Sequence, residues 1–408
     1  MQIVSEAELE HFVRPLLCGE AEDPMTAFVA ATFSQLGEPG DKTLALFAKV
    51  IREQSLLEAL IARHTPKALA GKIGESNVTW LEDQFGQTLE QIWSEVCQRW
   101  LPRVKKSEVL ASLDQAKALR GHLVTPGSRF YPQGFKQLAE SMPTILWVLG
   151  DPAVLENPNQ VSIVGSRNTS SYGRNAATDL AVVAADNQIV TVSGGAFGID
   201  ATVHQATLAA GGLTVAAMAG GIARLYPVAN RELLERITDT GAVISEVAPN
   251  VAPAKWRFLM RNRLIAAMGK ATIVVQAGPS SGSINTASTA VGLGRRVAVV
   301  PGPMNSVYSA GCHNFLNKHL GLVELVTDPQ CLPQLIRNSL DDFQDSLPAG
   351  MGALETRALD AFAAGENQLH QILRESGLTQ KEGYLALGSL ELLGLIERFG
   401  SGYRRVAK

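Results

Sequence analysis

Three turns in the middle of the chain combine residue types that bind phosphate groups. They are Gly165-Ser166-Arg167, the stretch from Ser193-Gly194-Gly195 to Asp200, and Ser281-Gly282-Ser283. Glycine lets a backbone approach an anion closely, hydroxyls and N–H groups donate hydrogen bonds to it, and arginine binds phosphate through two nitrogens. Each turn indicates an anion site, and each is also compatible with an ordinary strand-to-helix turn. Phe197, at the tip of the second turn, could stack on a base or fold back under its loop.

A fourth segment, residues 255–266, interleaves cations with aromatic residues and reads KWRFLMRNRLIA. Such a mixture offers phosphate contacts together with stacking surfaces, which an unpaired nucleic-acid strand requires. Charged segments are usually solvated helix faces, but those normally include Glu or Asp. None occurs in this segment, so it favours a polyanion-binding surface.

The distribution of charge supports the same interpretation. The 408 residues carry a formal net charge of −3, yet the 77 residues from Val247 to Val323 contain no Asp or Glu. The same stretch carries eight cations: Lys255, Arg257, Arg261, Arg263, Lys270, Arg295, Arg296 and Lys318. We therefore expect a groove empty of negative charge.

The elements that must position these turns follow from short apolar runs that alternate with helical stretches. Strands are predicted at residues 161–164, 189–193, 214–218, 242–245, 272–276 and 297–300, and helices at 172–186, 200–210, 229–240, 262–268 and 284–293. This alternation predicts an α/β fold with a Rossmann-like, doubly wound, mostly parallel sheet. Ligands of such sheets bind beyond the carboxyl ends of the strands, where all three turns would lie.

Composition changes along the chain predict four regions. Residues 1–118 form a helical N-terminal domain, 119–337 the Rossmann-like domain that carries the polyanion-binding turns, 338–352 a polar, acidic linker, and 353–408 a winged-helix-like domain. The last prediction rests on three short helical segments followed by a hairpin, with Leu387, Leu390, Leu393 and Ile396 as its core. A helix-turn-helix without the hairpin would show the same spacing of apolar residues.

The motifs occur in an order that resembles the DNA processing protein A family (DprA, also called Smf). The resemblance runs from about Leu123 to Asp328, and it rests on the three turns, on Tyr226-Pro227 with Asn230, on Arg261-Asn262-Arg263, on Thr286-Ala287 and on Pro301-Gly302. It implies a protein that binds single-stranded DNA without sequence preference, forms a homodimer and loads the RecA recombinase in natural transformation. Leu259 and Gln276 depart from the family pattern, in which many members carry proline and glutamate.

By matching positions, the resemblance implies a DNA groove lined by Arg167, Lys255, Phe258, Arg261, Asn262, Arg263 and Ser283. Together with the turns, the predicted nucleic-acid site comprises Gly165, Ser166, Arg167, Ser193, Gly194, Gly195, Phe197, Lys255, Phe258, Arg261, Asn262, Arg263, Ser281, Gly282, Ser283 and Thr286. No catalytic residue, cofactor or metal is expected, and the protein is expected not to be an enzyme.

Two alternatives remain open. A nucleotide phosphoribohydrolase on a similar scaffold would need a glutamate in the segment from Gly278 to Thr286, which has no carboxylate. A regulator of duplex DNA would act through the winged-helix-like region.

The cysteines Cys18, Cys97, Cys312 and Cys331 lack C-x-x-C spacing, and no apolar run approaches the ~20 residues of a membrane span. We therefore expect a cytoplasmic protein.

Overall fold

The computed structural model describes residues 3–279, 281–337, 353–362, 367–392, 395–399 and 402–406. The chain divides into two compact units, Met1–Ser339 and Leu340–Lys408. In the described part of the first unit, nine strands form one sheet: β1 His122–Val124, β2 Leu146–Gly150, β3 Gln160–Val164, β4 Val190–Ser193, β5 Thr214–Ala217, β6 Ala242–Ser245, β7 Ala271–Val274, β8 Arg296–Val299 and β9 Val323–Leu325.

The sheet is doubly wound, as the sequence predicted. Its order is β1-β2-β6-β5-β4-β3-β7-β8-β9, and every neighbouring pair from β6 to β9 is parallel. The chain runs from β3 to β6 in one direction and then crosses back to β7 beside β3. This reversal opens a crevice between the turns that follow β3 and β7, the usual ligand position in such sheets.

Helices cover both faces of the sheet. They are α9 Ser171–Asp186, α10 Ile199–Ala209, α11 Arg231–Thr240, α12 Lys255–Met268, α13 Gly282–Gly292, α14 Ala310–Lys318 and α15 Leu332–Arg337. Side chains alternate between the faces along each strand. On β3, Ile163 packs in the apolar cluster that contains α9 and α10, whereas Val164 packs in the cluster that contains α12 and α13.

The N-terminal region is helical, as expected. Its helices are α1 Glu6–Glu8, α2 Pro24–Leu36, α3 Lys42–Ala48, α4 Glu53–Ile61, α5 Pro66–Ile73, α6 Glu75–Phe85, α7 Leu89–Trp100 and α8 Lys106–Ala118. One apolar cluster combines Phe28 of α2 with Trp147 of β2 and Val243 of β6. Helix α2 therefore shares a core with the sheet, and the boundary after residue 118 stays a prediction.

Six of the nine strands lie where the sequence predicted them, within about two residues. The stretch from Leu123 to Gly150 was expected to form turns and short strands without stated bounds, and β1 and β2 lie there. The prediction missed β9, which has three residues. It was also wrong about the start of α12, which begins at Lys255 and not at Asn262. The mixture of charged and apolar residues in the first two turns of α12 obscured the helical period.

The described residues of the C-terminal unit form three helices and a hairpin: α16 Ala353–Asp360, α17 Leu369–Ser376, α18 Gln380–Leu392, β10 Ile396–Phe399 and β11 Gly402–Arg405. Its core includes Ala358, Ile372, Leu387, Leu390 and Ile396. This element order is the expected one, and the assignment as a winged helix stays a prediction. Leu393 and the predicted linker, residues 338–352, lie outside the described residues.

Candidate nucleic-acid interface

The turns after β3, β4 and β7 are joined by backbone hydrogen bonds at the carboxyl end of the sheet. The Ser166 N–H donates to the Gln276 carbonyl at 2.7 Å, and the Ile199 N–H donates to the Ser166 carbonyl at 3.2 Å. At Gly165, an added Cβ would lie 2.5 Å from Cγ1 of Ile199. The sequence was thus right to place these turns together, and glycine is required for their close approach.

Arg167 lies at the exposed side of this edge and covers an aromatic ring of α12. Its guanidinium carbon is 5.3 Å from the ring centroid of Phe258, within the range of a cation–π contact. The Phe258 ring is in turn 5.8 Å from the ring of Tyr226, with the planes inclined at 55°. We call Arg167, Phe258 and Tyr226 the stacking cluster. Tyr226 belongs to the motifs shared with the family but not to the predicted binding residues.

The first turns of α12 extend the surface of the stacking cluster. Lys255, Trp256 and Leu259 are exposed, and Lys255 lies three residues before Phe258, on the same side of the helix. Arg257 is less available, because it forms an ion pair of 2.9 Å with Glu38. This part of α12 therefore presents one cation and several apolar side chains next to Arg167.

Arg261 is buried, contrary to the prediction that its side chain lines the groove. It is only 5% exposed, and it donates to the carbonyls of Gly194, at 2.7 Å, and Ala217. Asp200 lies beside it and accepts from the Gly194 N–H at 3.2 Å. Burial raises the pKa of the Asp200 carboxyl, and the Arg261 charge opposes that shift. Arg261 therefore holds the Gly194-Gly195 turn against α12.

Arg263 is also committed to an internal partner. Its guanidinium donates to both carboxylate oxygens of Glu246, at 2.7 and 2.6 Å, and both side chains are buried. It donates further to the Ser141 carbonyl at 3.1 Å. Such a pair leaves little of the guanidinium for a phosphate, and the prediction that Arg263 lines the groove is wrong for this structure.

The serine and threonine side chains of the predicted site lie mostly inside the protein. Ser193 donates to the Ile163 carbonyl at 2.7 Å, and Ser283 and Thr286 are buried. Asn262 is buried as well and donates to the Gly282 carbonyl at 3.2 Å. Ser281 caps α13. Ser193 thus ties β4 to β3, whereas Asn262, Ser281 and Ser283 make their hydrogen bonds within or to the turn after β7.

Gln276 organises the crevice between β3 and β7, a role the sequence did not predict. Its side-chain oxygen accepts from the Ser170 N–H at 3.1 Å and from the Thr169 hydroxyl at 2.9 Å, and its nitrogen donates to the Ser170 hydroxyl at 2.8 Å. An amide makes these contacts because it both donates and accepts.

Phe197 is exposed in the turn after β4, as the base-stacking interpretation requires.

The expected groove empty of negative charge has fewer available cations than the sequence predicted, because several arginines pair with carboxylates. Arg257, Arg263 and Arg296 pair with Glu38, Glu246 and Glu324, all of which lie outside the carboxylate-free segment in sequence. Glu246 directly precedes that segment and Glu324 directly follows it. Among the described residues of the predicted site, Arg167 and Lys255 remain as the exposed cations.

The arrangement of the sheet and its turns matches a known family. The family model described as DNA recombination-mediator protein A covers residues 122–331. A relative from Mycobacterium tuberculosis, described as a putative DNA processing protein DprA, is 35% identical over 75% of this chain and 82% of its own length. The chain belongs to the DNA recombination-mediator protein A family. The resemblance stated from the sequence is therefore confirmed.

Two further comparisons agree with DprA family membership. The chain is similar to Protein Smf of Escherichia coli, with 33% identity over 80% of this chain and 86% of that protein. It is also similar to the X-ray structure of DNA processing protein A from Streptococcus pneumoniae, with 28% identity and a TM-score of 0.54 over 63% of this chain and 90% of that one. As a member of the DprA family, the protein has a role in DNA processing for recombination.

Two classes of site find no support in the part of the chain that the structure describes. No helix there is long and apolar enough to cross a bilayer. The same residues contain no group of three or more His, Cys, Asp or Glu side chains placed to hold a metal ion.

Proposed function

We propose that the protein binds single-stranded DNA without sequence preference at the carboxyl end of its sheet, protects incoming strands and loads the RecA recombinase in natural transformation. The observation that carries the DNA-binding part is the stacking cluster, in which exposed Arg167 covers Phe258. A cation next to aromatic rings matches the alternation of phosphates and bases along an unpaired strand. In a duplex the bases are stacked on each other, so their faces are not available to such rings.

The proposed lack of sequence preference is supported by the kinds of group that would contact the strand. Every base has a π-face, and backbone N–H groups and arginine bind phosphates, which are the same at every nucleotide. The amide and hydroxyl groups that would read base edges are used inside the protein, as at Asn262 and Ser283. We therefore expect affinity to depend strongly on salt and weakly on sequence.

The test is the affinity for a fluorescein-labelled oligo-dT, measured by fluorescence anisotropy. Arg167→Ala should weaken binding by roughly tenfold or more, because a charge-assisted contact to phosphate is lost. Arg236→Ala removes an exposed arginine from the outer face of α11 and should leave the affinity unchanged. Equal affinities for wild type and Arg167→Ala would refute the proposed site, and tighter binding to duplex than to single strands would favour the duplex-regulator alternative.

We propose further that the protein acts as a homodimer with RecA as its partner, as the family resemblance implies. Sedimentation of the purified chain tests dimerisation, and a monomer at micromolar concentration would contradict it. RecA strand exchange on DNA coated with a single-strand-binding protein tests loading. Failure of the protein to accelerate that reaction would contradict the RecA part while leaving DNA binding intact.

We propose that this function is not enzymatic. Asp200, a carboxylate that contacts the turn after β4, is buried beside Arg261 and accepts a hydrogen bond from the Gly194 N–H, which suits a structural role better than proton transfer to a ligand. Incubation with nucleoside monophosphates should release no free base, and turnover would favour the phosphoribohydrolase alternative.

We also propose a cytoplasmic location, which suits the four free cysteines because reducing compartments keep thiols unpaired.

A further inference from the structure

Tyr226 lies in the loop between β5 and α11, outside the predicted binding residues. The loop is tied to the turn after β4, because the Asn230 side chain donates to the Gly195 carbonyl at 3.0 Å. Asn230 and Pro227 are buried, whereas Arg224, Tyr226 and Val228 are exposed. The loop thus presents a cation and an aromatic ring at the same edge of the sheet as Arg167.

The ring geometry shows which aromatic of the stacking cluster is open to a ligand. The centroids of the Tyr226 and Phe258 rings are 5.8 Å apart, and the ring planes are inclined at 55°. A base inserted between two rings needs them parallel and about 7 Å apart, so no base fits between these two. Phe258 is half-buried and Arg167 covers its ring. Tyr226 is 44% exposed and therefore offers the more accessible ring.

The exposure of Tyr226 is not explained by a structural role of its hydroxyl. The Tyr226 hydroxyl makes no hydrogen bond among the residues that the structure describes. Two other tyrosines differ in this respect: the Tyr131 hydroxyl donates to the Pro143 carbonyl at 2.5 Å, and the Tyr172 hydroxyl donates to the Pro301 carbonyl at 2.6 Å. An exposed aromatic in contact with a ring that carries a cation is the arrangement found on single-strand stacking platforms. Isolated exposed tyrosines are common on protein surfaces, and contact with Phe258 distinguishes this one.

We propose that Tyr226 stacks on a base of the bound single strand and that Arg224 binds an adjoining phosphate, so that the strand crosses the carboxyl end of β5. The proposal rests on the proposed single-strand binding and adds a path to it. In this arrangement Arg167 and Lys255 contact the backbone near α12, and the strand continues towards the loop that carries Tyr226. Binding at Tyr226 requires a base but no particular base.

The experiment compares two oligonucleotides of about 15 nucleotides, one of dT and one of abasic sugar-phosphate, by anisotropy in low salt. Wild type should bind the dT strand more tightly. Tyr226→Ala should lose roughly five- to a hundredfold of the dT affinity and almost none of the abasic affinity, because stacking is lost and the phosphate contacts remain. Tyr226→Phe, which keeps the ring and removes only the unbonded hydroxyl, should restore the dT affinity.

Val228→Ala is the matched control, since it shortens an exposed side chain two residues away in the same loop. Arg167→Ala separates the two proposals, because it should weaken both oligonucleotides. If wild type and Arg167→Ala behave as expected but Tyr226→Ala keeps the dT preference, the Tyr226 proposal alone is overturned. Equal losses on both oligonucleotides also overturn it, since they indicate a displaced loop. Absence of single-strand binding by wild type would overturn both proposals.

Discussion

Arginines of the same helix serve different purposes in this protein, and their surroundings decide which. Arg257, Arg261 and Arg263 all lie on α12, yet Arg257 pairs with Glu38, Arg261 holds the Gly194 turn and Arg263 pairs with Glu246. The mixture of cations and aromatic residues in this segment, with no Asp or Glu, predicted a common polyanion-binding surface. The carboxylates that neutralise two of them come from outside the segment, so sequence alone does not reveal the pairing.

Removing Arg263 should therefore affect stability more than DNA binding. Arg263→Met leaves the Glu246 carboxylate buried without its partner, and the free energy of unfolding should fall by about 3–5 kcal/mol. Urea denaturation followed by circular dichroism measures this change. The double variant Arg263→Met with Glu246→Gln should recover part of the loss, because no uncompensated charge remains. Wild-type stability for Arg263→Met would show that the pair is not formed in solution.

At the scale of elements, strand positions were predictable because buried parallel strands are short apolar runs bounded by glycine. Strands β3 to β8 have this pattern, whereas β1 and β2 lie among prolines and aromatics and β9 has only one buried residue. The turns after β3 and β4 were located correctly for the same reason. The start of α12 was missed because exposed aromatics and buried arginines reverse the usual apolar pattern of a helix.

The contact between the turns after β3 and β4 can be tested at Gly198. Its φ is +78°, and a Cβ would lie 2.2 Å from the Ser166 carbonyl oxygen. Gly198→Ala should displace the turn that carries Arg167, lower the melting temperature and weaken oligo-dT binding. Gly292→Ala, at the end of α13 where a Cβ meets nothing within 4 Å, should keep both properties. Unchanged binding by Gly198→Ala would mean that the two turns act independently.

At the scale of the whole molecule, the net charge of −3 conceals a local surface of the opposite sign. The sequence overestimated the number of exposed cations on that surface, because it counted cations without their partners in space. The N-terminal region contributes Glu38, in the loop between α2 and α3, which neutralises Arg257. It also contributes Phe28 of α2, which packs with residues of β2 and β6. Such long-range contacts are not visible in local spacing.

The division into two units predicts where DNA binding resides. The core of the C-terminal unit is formed by its own residues, such as Ile372 and Leu387, and the stacking cluster lies entirely in Met1–Ser339. A chain ending at residue 339 should keep a cooperative thermal transition and should bind oligo-dT with an affinity within about threefold of the full chain. Complete loss of binding by this folded fragment would support the duplex-regulator alternative.

The central claim is that single-stranded DNA lies on the stacking cluster at the carboxyl end of the sheet. The most direct measurement is photocrosslinking of the full chain to an oligo-dT substituted with 5-iodouracil, followed by mass spectrometry of the adducts. The account predicts crosslinks in the segments 165–170, 222–230 and 255–260, and their loss in competition with unlabelled oligo-dT. Competable crosslinks confined to the amino-terminal edge of the sheet or to the C-terminal unit would contradict it.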